Sequence, residues 1–285
     1  MPSEKSGPII LYEPNHIVKA GIRVWPEMIR ELSQARGLIW RLVVRDLSAR
    51  YKQSFLGVFW AFLIPLVMMV TFVWIKNKSI LPIGNTAMPY AAFVFLGQVV
   101  WLLFSQGITK TANCFVAAGS MLTKINFPKE SLVISAMGET IFDFILRLPL
   151  LAIVFWWTGF MPHAAIILLP VLLLPLLLMV IGLGFLVALL NAVFRDISSL
   201  LTIVVYLGMF LTPVVYPPPQ GWPLSFCINF LNPMSGYVIA ARDLAVAGTL
   251  TEPASYLFAV AVSLLIFLAG WRLMHLVEPK IAEMV

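Results

Sequence analysis

The chain contains long stretches without a charged side chain, and these constrain its fold more than any other feature. Residues 56–75, for example, are uncharged over 20 positions. A helix needs about 20 apolar residues to cross the hydrocarbon core of a bilayer, where every backbone polar group must be bonded internally. With 61% hydrophobic and 11% charged residues, the composition excludes a soluble globular enzyme, a disordered regulator and a secreted disulfide scaffold. We therefore predict an all-α integral membrane protein.

Six stretches have the length and composition of membrane spans. They are residues 56–75, 86–107, 132–157, 164–193, 197–216 and 254–271. A further apolar stretch, residues 224–241, is interrupted by Asn, Pro and Gly. Broken backbone at membrane depth is tolerated only against protein or water. We therefore interpret this stretch as a re-entrant pair of short helices before the last span, and not as a seventh crossing.

The distribution of basic residues predicts the orientation. With the N-terminus inside, 15 Lys and Arg residues fall in cytoplasmic segments and 3 in outer segments, as the positive-inside rule requires. Both termini are then cytoplasmic. The corresponding organisation is a cytoplasmic N-terminal region with an interface helix (1–55), a six-span transmembrane domain (56–273) and a cytoplasmic tail (274–285).

A basic segment precedes the first span. In residues 35–60, apolar side chains interleave with cations, which predicts an amphipathic helix lying in the cytoplasmic interface. The cations of interest are Arg41, Arg45, Arg50 and Lys52. They either anchor the helix to the membrane or bind the phosphates of a lipid-linked substrate, for which the forked guanidinium is well suited.

The predicted cytoplasmic loop 109–132 mixes charged residues with apolar side chains that we expect to be exposed. Its candidate contact residues are Lys124, Ile125, Asn126, Phe127 and Pro128. Exposed aromatic and apolar residues on a short cytoplasmic helix are typical of a docking site for a partner protein. A plain connecting loop is the alternative.

The third span carries Glu139, Asp143 and Arg147 at spacing i, i+4, i+8. This spacing stacks the three side chains on one helical face, which in a membrane normally points into the bundle. A proton relay or a substrate contact is one interpretation. We favour a structural ladder that is neutralised internally, with Asp143 pairing with Arg147.

Aromatic residues recur on two predicted spans and either line a transport path, stacking on sugars, or face lipid. They are Phe55, Phe59 and Phe62 on the first span and Tyr206, Phe210 and Tyr216 on the fifth. The chain has no G-x-x-x-x-G-K-[ST] loop and no Cys/His spacing typical of a metal site. We therefore expect no catalytic centre, metal or cofactor on this chain.

Several segments together resemble one family of transporters. RDLSARYKQSFLGVFWAFLIPL (45–66) resembles the start of polysaccharide-export permeases, and NAVFRDISSLL (191–201) with LTPVVYP (211–217) resembles their fourth-to-fifth span connection. LNPMSGYVIAARD (231–243) resembles the segment before their last span. The tail HLVEPKIAE (275–283) is similar to that of the O-antigen exporters. The family is that of the ABC-2 type permeases, which export lipid-linked O-antigen, capsule or teichoic acid polymers.

This resemblance implies a homodimer of six-span subunits in the bacterial inner membrane, with the polymer path between the two protomers. Each subunit would dock on a separate ATPase that binds ATP and Mg, and the substrate would be an undecaprenyl-diphosphate-linked O-antigen. Teichoic acid or capsule is the alternative cargo. An ion-coupled secondary transporter working through the charges of the third span is the alternative from another class. No nucleic-acid partner is expected.

The resemblance also assigns positions. Residues 41–52 fall on the family's interface helix, and residues 120–130 fall on the coupling helix that enters a groove of the ATPase. Arg195 and Asp196 match the short turn after the fourth span. The residues that match the outer re-entrant segment, thought to close the path, are Asn232, Pro233 and Gly236. The sequence departs from the family at Lys76 and Lys78, where such permeases often stay apolar.

Overall fold

The computed structural model describes residues 24–52, 59–80, 83–119, 121–124, 127–194, 196–219 and 221–284. Within these ranges the regular structure is helical, without a strand. The first half contains α1 (Val24–Gln34), α2 (Arg36–Lys52), α3 (Phe59–Asn77), α4 (Tyr90–Ala118), α5 (Met121–Lys124) and α6 (Glu130–Trp157). The second half contains a 3₁₀ turn (Ala164–Leu168), α7 (Leu169–Leu172), α8 (Leu174–Val193), α9 (Ile197–Leu211), α10 (Leu224–Phe226), a π-helical turn (Cys227–Leu231), α11 (Pro233–Val246) and α12 (Pro253–Met284). The predicted all-α class is confirmed.

Five segments of the described chain are long and apolar enough to cross a membrane. They are α3, α4, α6, the broken helix Ala164–Val193, and Pro253–Glu278 of α12. A sixth candidate is the pair Leu224–Leu231 and Pro233–Val246, whose two parts are bent by 96° at the break. The chain is therefore a multi-span membrane protein. The re-entrant path of the bent pair and the division into three regions stay predictions.

Helix α9 is shorter than the fifth span predicted from the sequence. It ends at Leu211 after 15 residues, which corresponds to about 22 Å, whereas the hydrocarbon core is about 30 Å thick. Thr212 is extended, with φ −98° and ψ 138°, because the ring of Pro213 disfavours the helical conformation of the residue before it. The apolar run therefore continues to Tyr216 as turns, and the C-terminal boundary that we predicted for this span is wrong.

Helix α4 lies at the centre of the bundle and is longer than its predicted span, which ended at Gly107. Of its most apolar 18 residues, 83% are buried, against 22% in α3. In its polar C-terminal third, side chains form hydrogen bonds with the backbone of the same helix. Thr111 donates to the Gly107 carbonyl and Asn113 to the Thr109 carbonyl, both at 2.8 Å. Such bonds to the preceding turn allow polar residues to continue a helix in an apolar bundle.

Small residues bring α8 and α12 into backbone contact. A Cβ atom on Gly182 would lie 2.5 Å from the Phe267 Cα, and one on Gly270 would overlap the Gly182 backbone. Close approach of this kind is the main source of packing energy between membrane helices, where the hydrophobic effect no longer separates helix from lipid. The contact positions the C-terminal part of α12 beside the start of α6.

Helix α2 packs along α6. Leu42 and Val43 are buried, and a Cβ on Gly138 would lie 2.7 Å from the Val43 Cγ2. Helices α3 and α9 carry many exposed apolar side chains, as expected for surfaces turned to lipid or to another protein. That α2 lies in the membrane interface stays a prediction.

Candidate functional site

Four ionisable side chains from three helices meet at the inner surface of α2, and we call them the charged cluster: Arg50, Lys110, Glu139 and Asp143. The Asp143 side chain is completely buried. Arg50 Nη1 donates to both of its oxygens, at 3.1 and 2.8 Å, and Lys110 Nζ lies 3.0 Å from Oδ2. Lys110 also lies 3.6 Å from Glu139 Oε2. Two cations and two carboxylates therefore balance one another inside the bundle.

The predicted neutralisation of the third span by its own residues is wrong. The cations that bind Asp143 come from α2 and α4, and Arg147, which is 1% exposed, donates to Gln106 Oε1 at 2.6 Å. Spacing of four residues places side chains on the same face. That face is packed against α4 and α2, so long cationic side chains from those helices reach the carboxylate directly. The charged cluster thereby fastens α2 to the bundle.

The remaining cations of α2 differ in their surroundings. Arg41 and Lys52 have exposed side chains. Arg45 is paired with Asp46, with Nε 2.7 Å from Oδ1, and its Nη1 donates to Met121 Sδ at 3.6 Å. Arg45 thus connects α2 to the short helix α5. Of the four cations predicted to meet a phosphate, one is committed to the charged cluster and one to a neighbouring carboxylate.

The segment expected to dock a partner is only partly exposed. Phe127 is 6% exposed and belongs to a buried group that includes Val24, Met28, Trp271 and Met274. Our expectation of an exposed Phe127 is therefore wrong, because α1 and α12 cover the ring. Pro128 is half-buried.

Lys129 follows this segment and is nearly buried. Its Nζ lies 4.5 Å from the centroid of the Phe127 ring. Burial lowers the pKa of Lys129, and the carboxylate of Glu278 opposes that shift. The side chain of Lys124, and all of Ile125 and Asn126, lie outside the described residues.

The predicted pathway aromatics lie on the surface of the single chain. On α9, Tyr206 is 68% and Phe210 56% exposed, and on α3 Phe59 is 51% exposed. Phe62 is half-buried. The hydroxyl of Tyr216 donates to the Phe210 carbonyl at 3.0 Å. Phe55 lies outside the described residues, so its part in the set stays a prediction.

The segment matched to an outer re-entrant element has a clear local structure. Asn232 caps α11, because its Oδ1 accepts from the Met234 N–H at 3.1 Å and its Nδ2 donates to Thr212 Oγ1 at 2.9 Å. Pro233 occupies the first helical position, where its missing N–H carries no penalty. A Cβ on Gly236 would lie 3.0 Å from the Ser255 carbonyl oxygen. These residues therefore set the bend and the packing of α11 on α12.

Arg242 was missed as a structural residue by the sequence reasoning, which counted it only as an outer cation. It is buried, stacks on Phe93 with its guanidinium carbon 3.4 Å from the ring centroid, and donates to the Pro213 and Val214 carbonyls. These carbonyls belong to the turn after α9, where no helical N–H group is available to them. The available signal was an Arg at the end of the apolar run 233–241.

A cavity of about 580 Å³ opens beside Arg242 and is lined also by Asn85, Pro217, Asn229 and Asp243. Asp243 is engaged, since its Oδ2 accepts from the N–H and the hydroxyl of Thr251. The cavity lies at the end of the bundle predicted to face outward.

Two other predicted positions are placed by the structure. Lys76 Nζ lies 4.3 Å from the centroid of the Tyr90 ring, a cation–π contact that accommodates the lysine at the end of α3. Asp196 is exposed immediately before α9. Arg195 lies outside the described residues.

Comparisons with known proteins identify the relatives of this chain. Residues 37–245 match the sequence profile of the ABC-2 type transporter family. Over 242 residues, covering 84% of this chain and 92% of the relative, the chain is 32% identical to the O-antigen export system permease protein RfbA of Myxococcus xanthus. A protein of the same name from Klebsiella pneumoniae is 24% identical over 247 residues, covering 84% of this chain and 91% of that protein. The family match covers most of the helices described above.

Proposed function

The chain belongs to the ABC-2 type transporter family, and from this premise we propose that it is the permease subunit of an exporter of lipid-linked O-antigen polysaccharide. The observation that carries the proposal is the alignment with an O-antigen export system permease over 92% of that protein's length. The chain itself is a transporter membrane subunit. We place it in the bacterial inner membrane with both termini in the cytoplasm, in line with the predicted 15 to 3 distribution of basic residues.

We infer that transport is powered by a separate ATPase subunit. The sequence has no phosphate-binding loop of its own. Two copies of the chain would form the path, and two ATPase subunits would bind ATP and Mg. The contact to the ATPase would be made by residues 120–130, which include α5 (Met121–Lys124). Arg45 connects α5 to α2 through Met121. Because Phe127 belongs to the core beneath this segment, the ring supports the docking surface from inside.

The charged cluster offers a way for movement at the ATPase to reach the spans. Arg50 fastens the end of α2 to α6, and Lys110 fastens α4 to the same carboxylate. Ion pairs that are buried on one side are difficult to break, because separation leaves an uncompensated charge in an apolar environment. We propose that α2, α4 and α6 therefore move together at this end, and that the cluster is a mechanical connection and carries no protons.

We propose that the diphosphate of the lipid carrier binds the cations on one face of α2, namely Arg41, Arg45 and Lys52. Arg41 and Lys52 are exposed, and Arg45 faces the same surface while paired with Asp46. A diphosphate would compete with Asp46 for the Arg45 guanidinium, since forked contacts to phosphate are strong. The aromatic side chains of α9 would contact the polymer between two protomers. Stacking on sugar rings requires no fixed sequence of sugars.

Deletion and complementation test the proposed function. In a source strain lacking this gene, we expect loss of O-antigen from the cell surface. Undecaprenyl-linked polymer should accumulate on the cytoplasmic side of the inner membrane. Expression of the wild-type chain should restore export, and the chain should co-purify with an ATPase. Accumulation of a capsular or teichoic acid polymer instead would identify that polymer as the exported substrate. Unchanged surface polysaccharide of every class would contradict the proposal.

A further inference from the structure

We propose that Glu130, His275 and Glu278 form a binding site for one divalent transition-metal ion, Zn²⁺ or a similar cation, which joins the C-terminal part of α12 to the start of α6. His275 and Glu278 lie one turn apart on α12 and therefore share a face. Glu130 is the first residue of α6. The proposal concerns the chain alone and does not depend on the transported polymer.

The donor atoms have the spacing of a compact coordination site. His275 Nδ1 lies 3.3 Å from Glu130 Oε1 and 4.0 Å from Glu278 Oε2, and the three ligand atoms all lie within 4.8 Å of one another. A tetrahedral ion with bonds of about 2.0–2.1 Å separates its ligand atoms by roughly 3.3 Å. Small side-chain rotations would therefore complete three protein ligands, with water as the fourth.

The burial of Glu130 gives an independent reason for a cation. Its side chain is 5% exposed, and within the described part of the chain its Oε2 is buried without a hydrogen-bond partner. Glu278, whose side chain is 11% exposed, lies beside it. Two carboxylates held together away from water are costly unless a cation or a shared proton lies between them. Protonated His275 would supply one positive charge to the two carboxylates, whereas a divalent ion bound through the neutral imidazole would balance both, and nitrogen and carboxylate ligands together suit Zn²⁺ and its neighbours.

The surrounding residues orient the ligands as a metal site requires. The Lys129 backbone N–H donates to Glu278 Oε1 at 2.7 Å, which directs Oε2 toward His275. Outer hydrogen bonds of this kind hold metal-binding carboxylates in place. The Lys129 ammonium donates to the Leu122 carbonyl at 3.3 Å. Glu31 and Arg272 also act electrostatically on the cluster.

An apolar shell borders the site. Trp271 precedes His275 by one turn and contacts Trp25 edge to face, with 5.8 Å between ring centroids. Met274 is completely buried. A bound ion would therefore sit between the start of α6 and the last helix, and would fix the position of Glu130 relative to α12.

Cobalt binding tests the proposal directly. The full-length permease, purified in detergent with a tag that lacks histidine and treated with a chelator, is titrated with Co²⁺ and then with Zn²⁺. We expect visible absorption from coordinated Co²⁺ at one ion per chain, and its loss when Zn²⁺ is added. Glu130→Gln and His275→Asn should each weaken binding by at least about tenfold, in line with the loss of a ligand.

A control variant and a second measurement keep the test decisive. His163→Asn removes a histidine from the N-cap of the 3₁₀ turn, remote in sequence from the site, and should bind Co²⁺ like the wild type. Zn²⁺ should raise the Tm of the wild type and of His163→Asn but not of Glu130→Gln. The proposal is overturned if the wild type binds no stoichiometric ion, or if monodisperse Glu130→Gln binds as tightly as the wild type. Two carboxylates sharing a proton would give the first of these results.

Discussion

Arg50 on α2 and Asp143 on α6 are joined by one guanidinium nitrogen that bonds both carboxylate oxygens, at 3.1 and 2.8 Å. The two residues are 93 positions apart, and the acid is completely buried while 37% of the arginine side chain is exposed. The contact therefore connects a solvent-accessible basic helix to the interior of the bundle. We therefore expect the stability of the protein to depend on the Asp143 carboxylate.

Asp143→Asn should destabilise the protein strongly. Removing the acid takes away the carboxylate that Arg50 and Lys110 share, while Lys110 keeps Glu139 at 3.6 Å. Breaking a fully buried pair costs about 3–5 kcal/mol, and because both cations are partly exposed we expect a cost of about 2 kcal/mol. We expect a lower Tm and a lower yield of monodisperse protein. Asp46→Asn is the matched control, because Asp46 pairs with Arg45 on the exposed surface and such pairs contribute less than about 1 kcal/mol. Equal stability of the two variants would contradict the role of the charged cluster.

Arg41→Lys should separate phosphate recognition from membrane anchoring. Lipid headgroups attract either cation by about 1 kcal/mol, so membrane insertion should not change. A forked contact to the diphosphate would be weakened, and a loss of 1.5 kcal/mol corresponds to about a tenfold weaker apparent affinity. The measurement is stimulation of ATP hydrolysis by the lipid-linked polymer in the reconstituted complex. Arg36→Lys, at the start of the same helix, is the control, and an unchanged Arg41→Lys profile would leave α2 as an anchor.

Phe127→Ala should destabilise the permease even without its ATPase. The ring is 6% exposed and lies within the group beneath α1 and α12, and truncation of a buried Phe costs about 3–5 kcal/mol. The Tm of the isolated permease measures the effect. Val116→Ala is the comparison, since Val116 on α4 is 53% exposed. Normal stability with loss of ATPase binding alone would show that the ring faces the partner instead.

Gly236→Ala should loosen the contact between α11 and α12. The added Cβ would lie 3.0 Å from the Ser255 carbonyl oxygen and 3.1 Å from the Ala259 Cβ, so the two helices must move apart, at a cost of about 1–3 kcal/mol. Gly37→Ala on α2 meets no atom within 4 Å and should be neutral or slightly stabilising, because alanine favours helix. Thermal unfolding of both variants distinguishes a local clash from a general effect of replacing glycine.

The positions of the long helices were predictable because membrane spans are written as continuous apolar runs. Where the prediction of a helix end failed, a single residue in or beside the apolar run was the reason. Because of Pro213, α9 ends at Leu211, five residues before the predicted end of the span at Tyr216. Lys110 lay outside the predicted second span, yet α4 continues through it because Asp143 neutralises its charge.

Contacts between distant residues were not predictable from spacing. Glu130 and His275 are separated by 145 positions, and nothing in the local pattern of either residue indicates the other. The sequence analysis singled out the charges of the third span, but the cations that bind Asp143 lie on α2 and α4. Burial of Phe127 likewise depends on α1 and α12, which cover a ring that by composition belongs to an exposed loop.

The backbone contact between Gly182 and Gly270 divides the molecule into a stiff part and a compliant part. Where two helices touch through their backbones, no interlocking side chains lie between them that could repack. We therefore expect α8 and α12 to move as one rigid unit. Helix α3 contains no glycine, so side chains separate its backbone from its neighbours, and Gly208 of α9 faces the Trp101 side chain of α4. We therefore expect a conformational change to move α3 and the short α9 relative to the rigid pair α8 and α12. Distance probes placed on α8 and α12 should therefore report little change in the separation of these two helices during a transport cycle.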